Sequence, residues 1–301
     1  MGNFEVVSAV HGIGPKSEEL TALELAVIKR KASVGEFDDL RRQEANEWLE
    51  WQNLVGIDIQ EDGRLQWEDH LRPIVKASTG FAPDIDAAPE VQWFGTDTTY
   101  RRPTITGKLQ FDVDAFVERL PPLGKTLSLA SVEEFAQLCD NTYEKLDPLV
   151  NVTRFHRQIV KALGSVGVER IVFTRHGKPS KNIGGAESRI ACSIDGPEIV
   201  QVPVGKSAHA YGINSGATSG GAISPGNWPE RWLPIVSGNC AEPERLPTPR
   251  EIEFLRHNDL GRLVLTHSHD LRVLTLEQAK QKVDQLAEIT AVLRKELEVA
   301  E

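Results

Sequence analysis

Cysteine is scarce. The 301 residues hold three, Cys139, Cys192 and Cys240, far apart and with no Cys-x-x-Cys pair. That argues against a disulfide framework and leaves reduced thiols in the cytoplasm as the expectation. No run of about 18 apolar residues and no export leader is present, so the chain reads as soluble, non-exported and without a membrane partner. Basic runs are absent too, and the formal net charge is −10. Sequence-independent binding to nucleic acid needs clustered Lys and Arg to neutralise phosphates, so that class is set aside. There is no internal repeat. Gly184-Gly185 and Gly220-Gly221 lack the following Lys-Ser/Thr that a phosphate loop requires.

What is present is a hydrophobic content of 40%, enough for a sizeable core, and a regular alternation of helix and strand patterns. Residues 4–10, FEVVSAV, read as a first strand ended by the glycine turn at Gly12 and Gly14. A helix follows from Glu18 to Lys31, with Leu20, Leu23, Leu25, Ala26 and Ile28 on its buried side, and Gly35 separates it from the next. That next helix carries Trp48, Trp51, Leu54 and Val55 at helical spacing and stops at Gly56, where a left-handed glycine suits a helix end. Ile57-Asp58-Ile59 is a short strand, and Asp62-Gly63 a turn.

Further along, strands are expected at 104–106, 168–173, 200–204 and 263–265. Helices are expected at 112–120, 131–138 (Ser131 capping, Glu134 three residues on), 151–163 and 275–298. Alternating units of this kind imply an α/β class with parallel strands, without deciding between a closed barrel and an open sheet. From Thr174 to Glu244 the composition turns to Gly, Ser, Pro and Asn. There the cluster Trp228, Trp232, Leu233, Ile235 and Val236 reads as a cover for a rim.

The stretch from Gln52 to Asp69 resembles the cobalamin-independent methionine synthase family, whose catalytic barrel carries Gln-x3-Gly-x-Asp and then Asp-Gly-Glu. Gln52, Gly56, Asp58, Asp62, Gly63 and Asp69 stand at matching places. Tyr100-Arg101-Arg102-Pro103 with Gly107-Lys108 is similar to that family's next strand, and Gly12 to Lys16 to its Gly-Ser-x-Pro-Arg loop. The resemblance implies one (β/α)8 barrel spanning residues 1–301, divergent and irregular over 174–262. It also implies transfer of a methyl or alkyl group to a thiol such as homocysteine, from 5-methyltetrahydrofolate or a methyl-corrinoid protein. Zinc would be the cofactor, activating the thiol by lowering its pKa.

The family's zinc ligands map here onto His209, with Tyr211 where a cysteine is expected, and onto His269 in place of the last cysteine. Glu253 or Glu251 would supply the carboxylate. His267 and His269, two apart, suit a metal on an extended backbone. The family's Asp-Gly-Glu glutamate, which anchors the substrate ammonium, is Arg64. Its Asp-Glu-Pro is Thr174-Arg175-His176, and its loop serine is Ile13. Asp62 and Arg64 are therefore the catalytic candidates. Lys16, Arg101, Arg102 and Arg175, with Lys108 and Arg64 itself, are the candidates for a clamp on an anionic group. Asp58, mid-strand, reads as a structural salt bridge inside the barrel. The other reading is a catalytically degenerate relative that binds a ligand or partner. A pair of compensating frameshifts would also account for matching flanks around a non-matching 174–262, and translating the coding DNA in its other frames would reveal it.

Overall fold

The computed structural model describes residues 5–93, 98–120, 124–176, 198–204, 220–221, 230–238, 241–257 and 262–298. Its strands are β1 (Glu5–Ser8), β2 (Ser78–Phe81), β3 (Glu90–Gln92), β4 (Thr99–Arg101), β5 (Thr104–Phe111), β6 (Thr126–Ala130), β7 (Asp140–Asn141), β8 (Arg170–His176), β9 (Glu198–Val204), β10 (Gly220–Gly221), β11 (Glu230–Val236) and β12 (Arg262–His267). Its helices are α1 (Glu18–Ile28), α2 (Val34–Leu54), α3 (Arg72–Lys76), α4 (Val113–Arg119), α5 (Val132–Leu138), α6 (Pro148–Ser165), α7 (Pro249–His257) and α8 (Leu276–Glu298). The chain sorts into two compact units. One is Met1–Gln66 with Pro203–Ala222 and Trp228–Glu301; the other is Trp67–Val202 with Ile223–Asn227.

The first unit is built on a parallel ladder. β1 pairs with β12 and β12 with β11, all parallel, while β10 lies antiparallel on the far edge. On the other side of β1, Ala9 bridges Ile59 in parallel, through Val10 N–H to the Ile59 carbonyl at 2.9 Å and Ile59 N–H to the Ser8 carbonyl at 3.0 Å. Four consecutive parallel segments therefore present their C-terminal ends on one edge. α8 packs behind them, its stripe of Ala279, Val283, Leu286, Ile289, Leu293 and Leu297 buried against Val6, Leu263, Leu265 and Ile235. Thr275 caps α8: its hydroxyl accepts from Gln278 N–H, and the Gln278 amide oxygen accepts from Thr275 N–H. Asp58 faces this helix rather than a barrel interior. Its carboxylate accepts from Ser8 N–H and Arg294 Nη2, while Arg294 Nε donates to the Val6 carbonyl.

The second unit holds β2-β5-β7, the hairpin β3-β4, and β6-β8-β9, with β6 and β8 parallel. Its core is a phenylalanine cluster, Phe81, Phe111, Phe116, Phe135 and Phe155, in which His156 and Phe173 are embedded. Among the described residues the ladders form separate small sheets, and no closed eight-stranded barrel is traced; the mixed α/β class holds.

Three local expectations are corrected. α1 buries only Leu20 fully, whereas Leu25 and Ile28 are 49% and 71% exposed, because apolar residues surround this helix and only one side is covered. α2 begins at Val34, with Gly35 inside its first turn. The start is set by Ser33 and Glu36 in a reciprocal capping box that outweighs the glycine. The cluster Trp232 to Val236 is no rim cover but β11 itself. Pro234 sits where the register shifts, as a proline in a sheet requires.

Candidate functional site

Polar groups follow the C-terminal ends of the parallel segments: His11 after β1, Glu61, Asp62 and Arg64 after the Ile59 bridge, and His267 to Asp270 after β12, with His11, Glu61, Arg64, His267 and Ser268 buried and Asp62, His269 and Asp270 partly so. Barrels and open parallel sheets alike use this edge, since loops there collect residues from several strands. Gln52, fully buried on α2, sets the middle loop. Its amide nitrogen donates to the Trp48 and Glu61 carbonyls, and its oxygen accepts from Glu61 N–H. Asp62 then closes the turn by accepting from Arg64 N–H at 2.8 Å, with Gly63 at φ +73° and Arg64 itself left-handed at φ +44°. Desolvation raises the Asp62 carboxyl above its ordinary range, against the opposing pull of Arg64.

Two carboxylates organise the loop after β1. Glu61 accepts from Gly12 N–H at 2.6 Å, and Asp270 from Ile13 N–H at 3.0 Å. Gly12, at φ +83°, leaves no room for a side chain: a Cβ there would lie 2.1 Å from the Asp270 oxygen. Between these carboxylates lies the Arg64 guanidinium, 1% exposed, with Nε 3.4 Å from Glu61 and Nη2 3.9 Å from Asp270. One guanidinium against two carboxylates leaves a formal charge of −1 before Asp62 is counted. Arg64 is thus not an anion clamp; it is a cation already flanked by carboxylates.

Two histidines floor the cluster. Their rings stack at 4.3 Å. His11 N–H donates to His267 Nε2 at 3.1 Å, so the His267 proton sits on Nδ1, facing the His269 carbonyl at 2.6 Å. His11 Nε2 lies 3.1 Å from the His267 carbonyl and carries the proton there. Burial holds both rings neutral, moving His11 well below the usual imidazole range and His267 to about 4.

Of the expected zinc ligands, His269 and Glu253 fall among the described residues. Among them no three of His, Cys, Asp and Glu converge as a metal-binding group. His267 has both ring nitrogens engaged, His269 Nδ1 is bonded to Ser268 Oγ at 2.8 Å, and Glu253 lies on the exposed face of α7. Glu251 is bound by Arg245 and Thr248, with its carboxyl held down to about 2 chiefly by the Arg245 hydrogen bonds. His209 lies outside the described residues.

Of the basic residues expected to form a clamp, Lys16, Arg101 and Arg102 have partners within their own units. Lys16 is paired with Glu24 at 2.8 Å in the first unit. Arg101 and Arg102 belong to the second, where the Ala88 carbonyl with Glu90, and Tyr100 with Asp140, engage them. Arg175 falls in β8, with its side chain outside the described residues. Sequence reasoning overlooked His11, Glu61 and Asp270. The available signal was position: each is a polar residue just beyond a strand's C-terminal end.

Comparison with known proteins bears on the fold. No family model matches the chain, and no curated protein matches it. Solved structures do. A candidate vitamin-B12-independent methionine synthase from Listeria monocytogenes aligns with a TM-score of 0.63 at 11% identity, over 95% of this chain and 98% of that one. A B12-independent methionine synthase from Shewanella sp. W3-18-1, in complex with selenomethionine, aligns with a TM-score of 0.61 at 14% identity, over 97% and 98%. The chain shares their fold. Among its described residues, no helix is long and apolar enough to cross a membrane.

Proposed function

We propose that this protein binds an amine-bearing thiol at the Glu61–Arg64–Asp270 cluster and transfers a methyl or alkyl group to its sulfur. The observation that carries this reading is the charge of the cluster. Arg64 replaces the expected acidic anchor, but Glu61, buried, and Asp270, partly buried, more than offset it, so a formally anionic site faces the C-terminal edge of the ladder. A primary ammonium is attracted to such a site, and low surrounding polarity strengthens that attraction. The likeness to a methionine synthase fold seen with selenomethionine supports an amino acid carrying sulfur as the ligand class.

In this reading Asp62, at the loop tip, orients the ligand, and Gly12 allows the loop to lie against Asp270. The thiol gives up its proton to solvent, and the sulfur bonds to the methyl carbon as the donor's own bond to that carbon breaks: the N5–CH3 bond of 5-methyltetrahydrofolate, whose N5 takes up a proton to leave tetrahydrofolate, or the Co–CH3 bond of a methyl-corrinoid, which leaves as the cob(I) form. The test is a methyl-transfer assay with L-homocysteine and either 5-methyltetrahydrofolate or methylcobalamin, followed by mass spectrometry of the product. Protein-dependent methionine is expected from one donor. Its absence with both, at saturating thiol, would refute the transferase reading.

A second reading rests on a specific observation as well: Arg64 already lies against both carboxylates. The same cluster then acts as an internal salt bridge in a barrel that binds a ligand or partner without chemistry. It predicts amine binding, if any, without product.

A further inference from the structure

One atom of the cluster stands apart. His11 is 2% exposed, and among the described residues its Nδ1 has no hydrogen-bond partner. Every other feature of this ring is fixed. Its backbone N–H is given to His267 Nε2, its Nε2–H to the His267 carbonyl, and its face to the His267 ring. With the proton pinned on Nε2, Nδ1 is a bare lone pair in a buried place, and a buried acceptor left without a donor costs on the order of 1–3 kcal/mol. Such a group in a native site calls for an explanation.

The donors nearby do not resolve it. Gly12 N–H goes to Glu61, Ile13 N–H to Asp270, and Arg64 faces the two carboxylates. Burial keeps the ring neutral, and of the side-chain charges acting on it Asp270 is the negative one and Arg64 the positive one. A neutral acceptor with a carboxylate nearby is suited to a cationic N–H donor. Because the imidazole is a poor base there, it accepts the hydrogen bond and leaves the proton on the ligand.

We propose that His11 Nδ1 is a binding contact for the ligand's primary ammonium, completing with Asp270 and Glu61 a site selective for amines. This rests on the amine-binding reading above and adds to it a specificity-determining residue. Two substitutions separate the role from a structural one. Glutamine at position 11 places its amide where Nε2 stood, keeping a donor for the His267 carbonyl and removing the Nδ1 acceptor. Asparagine does the reverse.

The probe is L-methionine, with its desamino analogue 4-(methylthio)butanoate as control, on the full-length protein carrying 15N-labelled histidine. In the free protein the His11 Nδ1 resonance is expected at the position of an unprotonated, unbonded nitrogen. Saturating L-methionine moves it toward the hydrogen-bonded range, and the analogue does not. His11→Gln weakens L-methionine binding tenfold or more with the melting temperature kept, the scale of one hydrogen bond to a charged group. His11→Asn lowers the melting temperature and keeps most of the affinity.

Binding of L-methionine with Nδ1 unmoved, or a His11→Gln variant with wild-type affinity, overturns the proposal while leaving the amine-binding reading intact. An Nδ1 already protonated or hydrogen-bonded in the free protein also overturns it. Failure of L-methionine and of L-homocysteine to bind the wild type removes the amine-binding reading and this proposal together.

Discussion

Replacing Arg64 by methionine tests whether the cluster is held together by charge. The side chain keeps much of its length but loses the guanidinium between one buried and one partly buried carboxylate. At 3.4 and 3.9 Å, the direct attractions amount to about 5 and about 4 kcal/mol at an effective dielectric of roughly 20. Those gross terms are largely offset by the desolvation of three charges. What the substitution exposes is the cost of leaving Glu61 and Asp270 without their shared cation, about 3–5 kcal/mol for a buried pair broken on one side.

Urea unfolding at pH 7 is the assay, with Arg64→Lys as the charge-retaining comparison, expected to recover part of the loss. The deficit of Arg64→Met has a pH signature. A carboxylate stripped of its cation takes up a proton more readily in the folded state than in the unfolded one, so the native variant binds more protons. Its stability relative to wild type then improves as pH falls toward the carboxylate range. A variant within about 1 kcal/mol of wild type at pH 7, where a broken buried pair should cost several times that, would refute the charge account of this cluster.

Gly12→Ala combines a strained left-handed backbone with a Cβ 2.1 Å from the Asp270 oxygen; a loss of about 2–4 kcal/mol and of amine binding is expected by urea unfolding and calorimetry. Gly238→Ala directs its Cβ at the His269 carbonyl, also at 2.1 Å, and is expected to shift the His267–His269 NMR signals and lower the melting temperature. Acid stability has a stated sign. His156 and His267 are buried neutral, each moved from 6.5 to about 4 chiefly by desolvation. The unfolded chain therefore binds more protons between those values, and stability present above pH 6.5 is lost as pH falls to 4, by about 3 kcal/mol for each histidine. A His156→Leu variant is expected to show a flatter loss over that window in urea titrations at stepped pH.

Much of the scaffold was legible. Alternation of 3.6- and 2-residue periods located β1, β8, β12 and the apolar stripe of α8 to within a few residues, because in each case local pattern and burial agree. Ser131, Thr275 and Gly56 announced helix ends by side-chain or backbone chemistry that acts within one turn. β11 was hidden because Pro234 reads as a breaker, and only a register shift in the finished sheet makes room for it. Leu25 and Ile28 misled because whether an apolar residue on a helix is covered depends on what packs beside it, which local periodicity does not encode.

Of the candidate cluster, the sequence singled out Asp62 and Arg64, but what surrounds them depends on Glu61 and Asp270, about 200 residues apart in sequence and brought together by the Gly12–Ile13 loop and by Arg64 itself. Arg64 alone reads as repulsion toward an ammonium; Arg64 between two carboxylates is part of an anionic site. His11 gave no sequence signal beyond its place after a strand, since its role follows from a tautomer fixed by the His267 carbonyl.

The account stands on the cluster's preference for a primary amine, and calorimetric titration of the wild-type protein with L-homocysteine and with 4-mercaptobutanoate measures that preference directly. Binding of the amino acid at least tenfold tighter than its desamino analogue, with the difference abolished in Asp270→Asn, is the predicted result. Equal affinity for the two thiols, or a preference that survives Asp270→Asn unchanged, would contradict it.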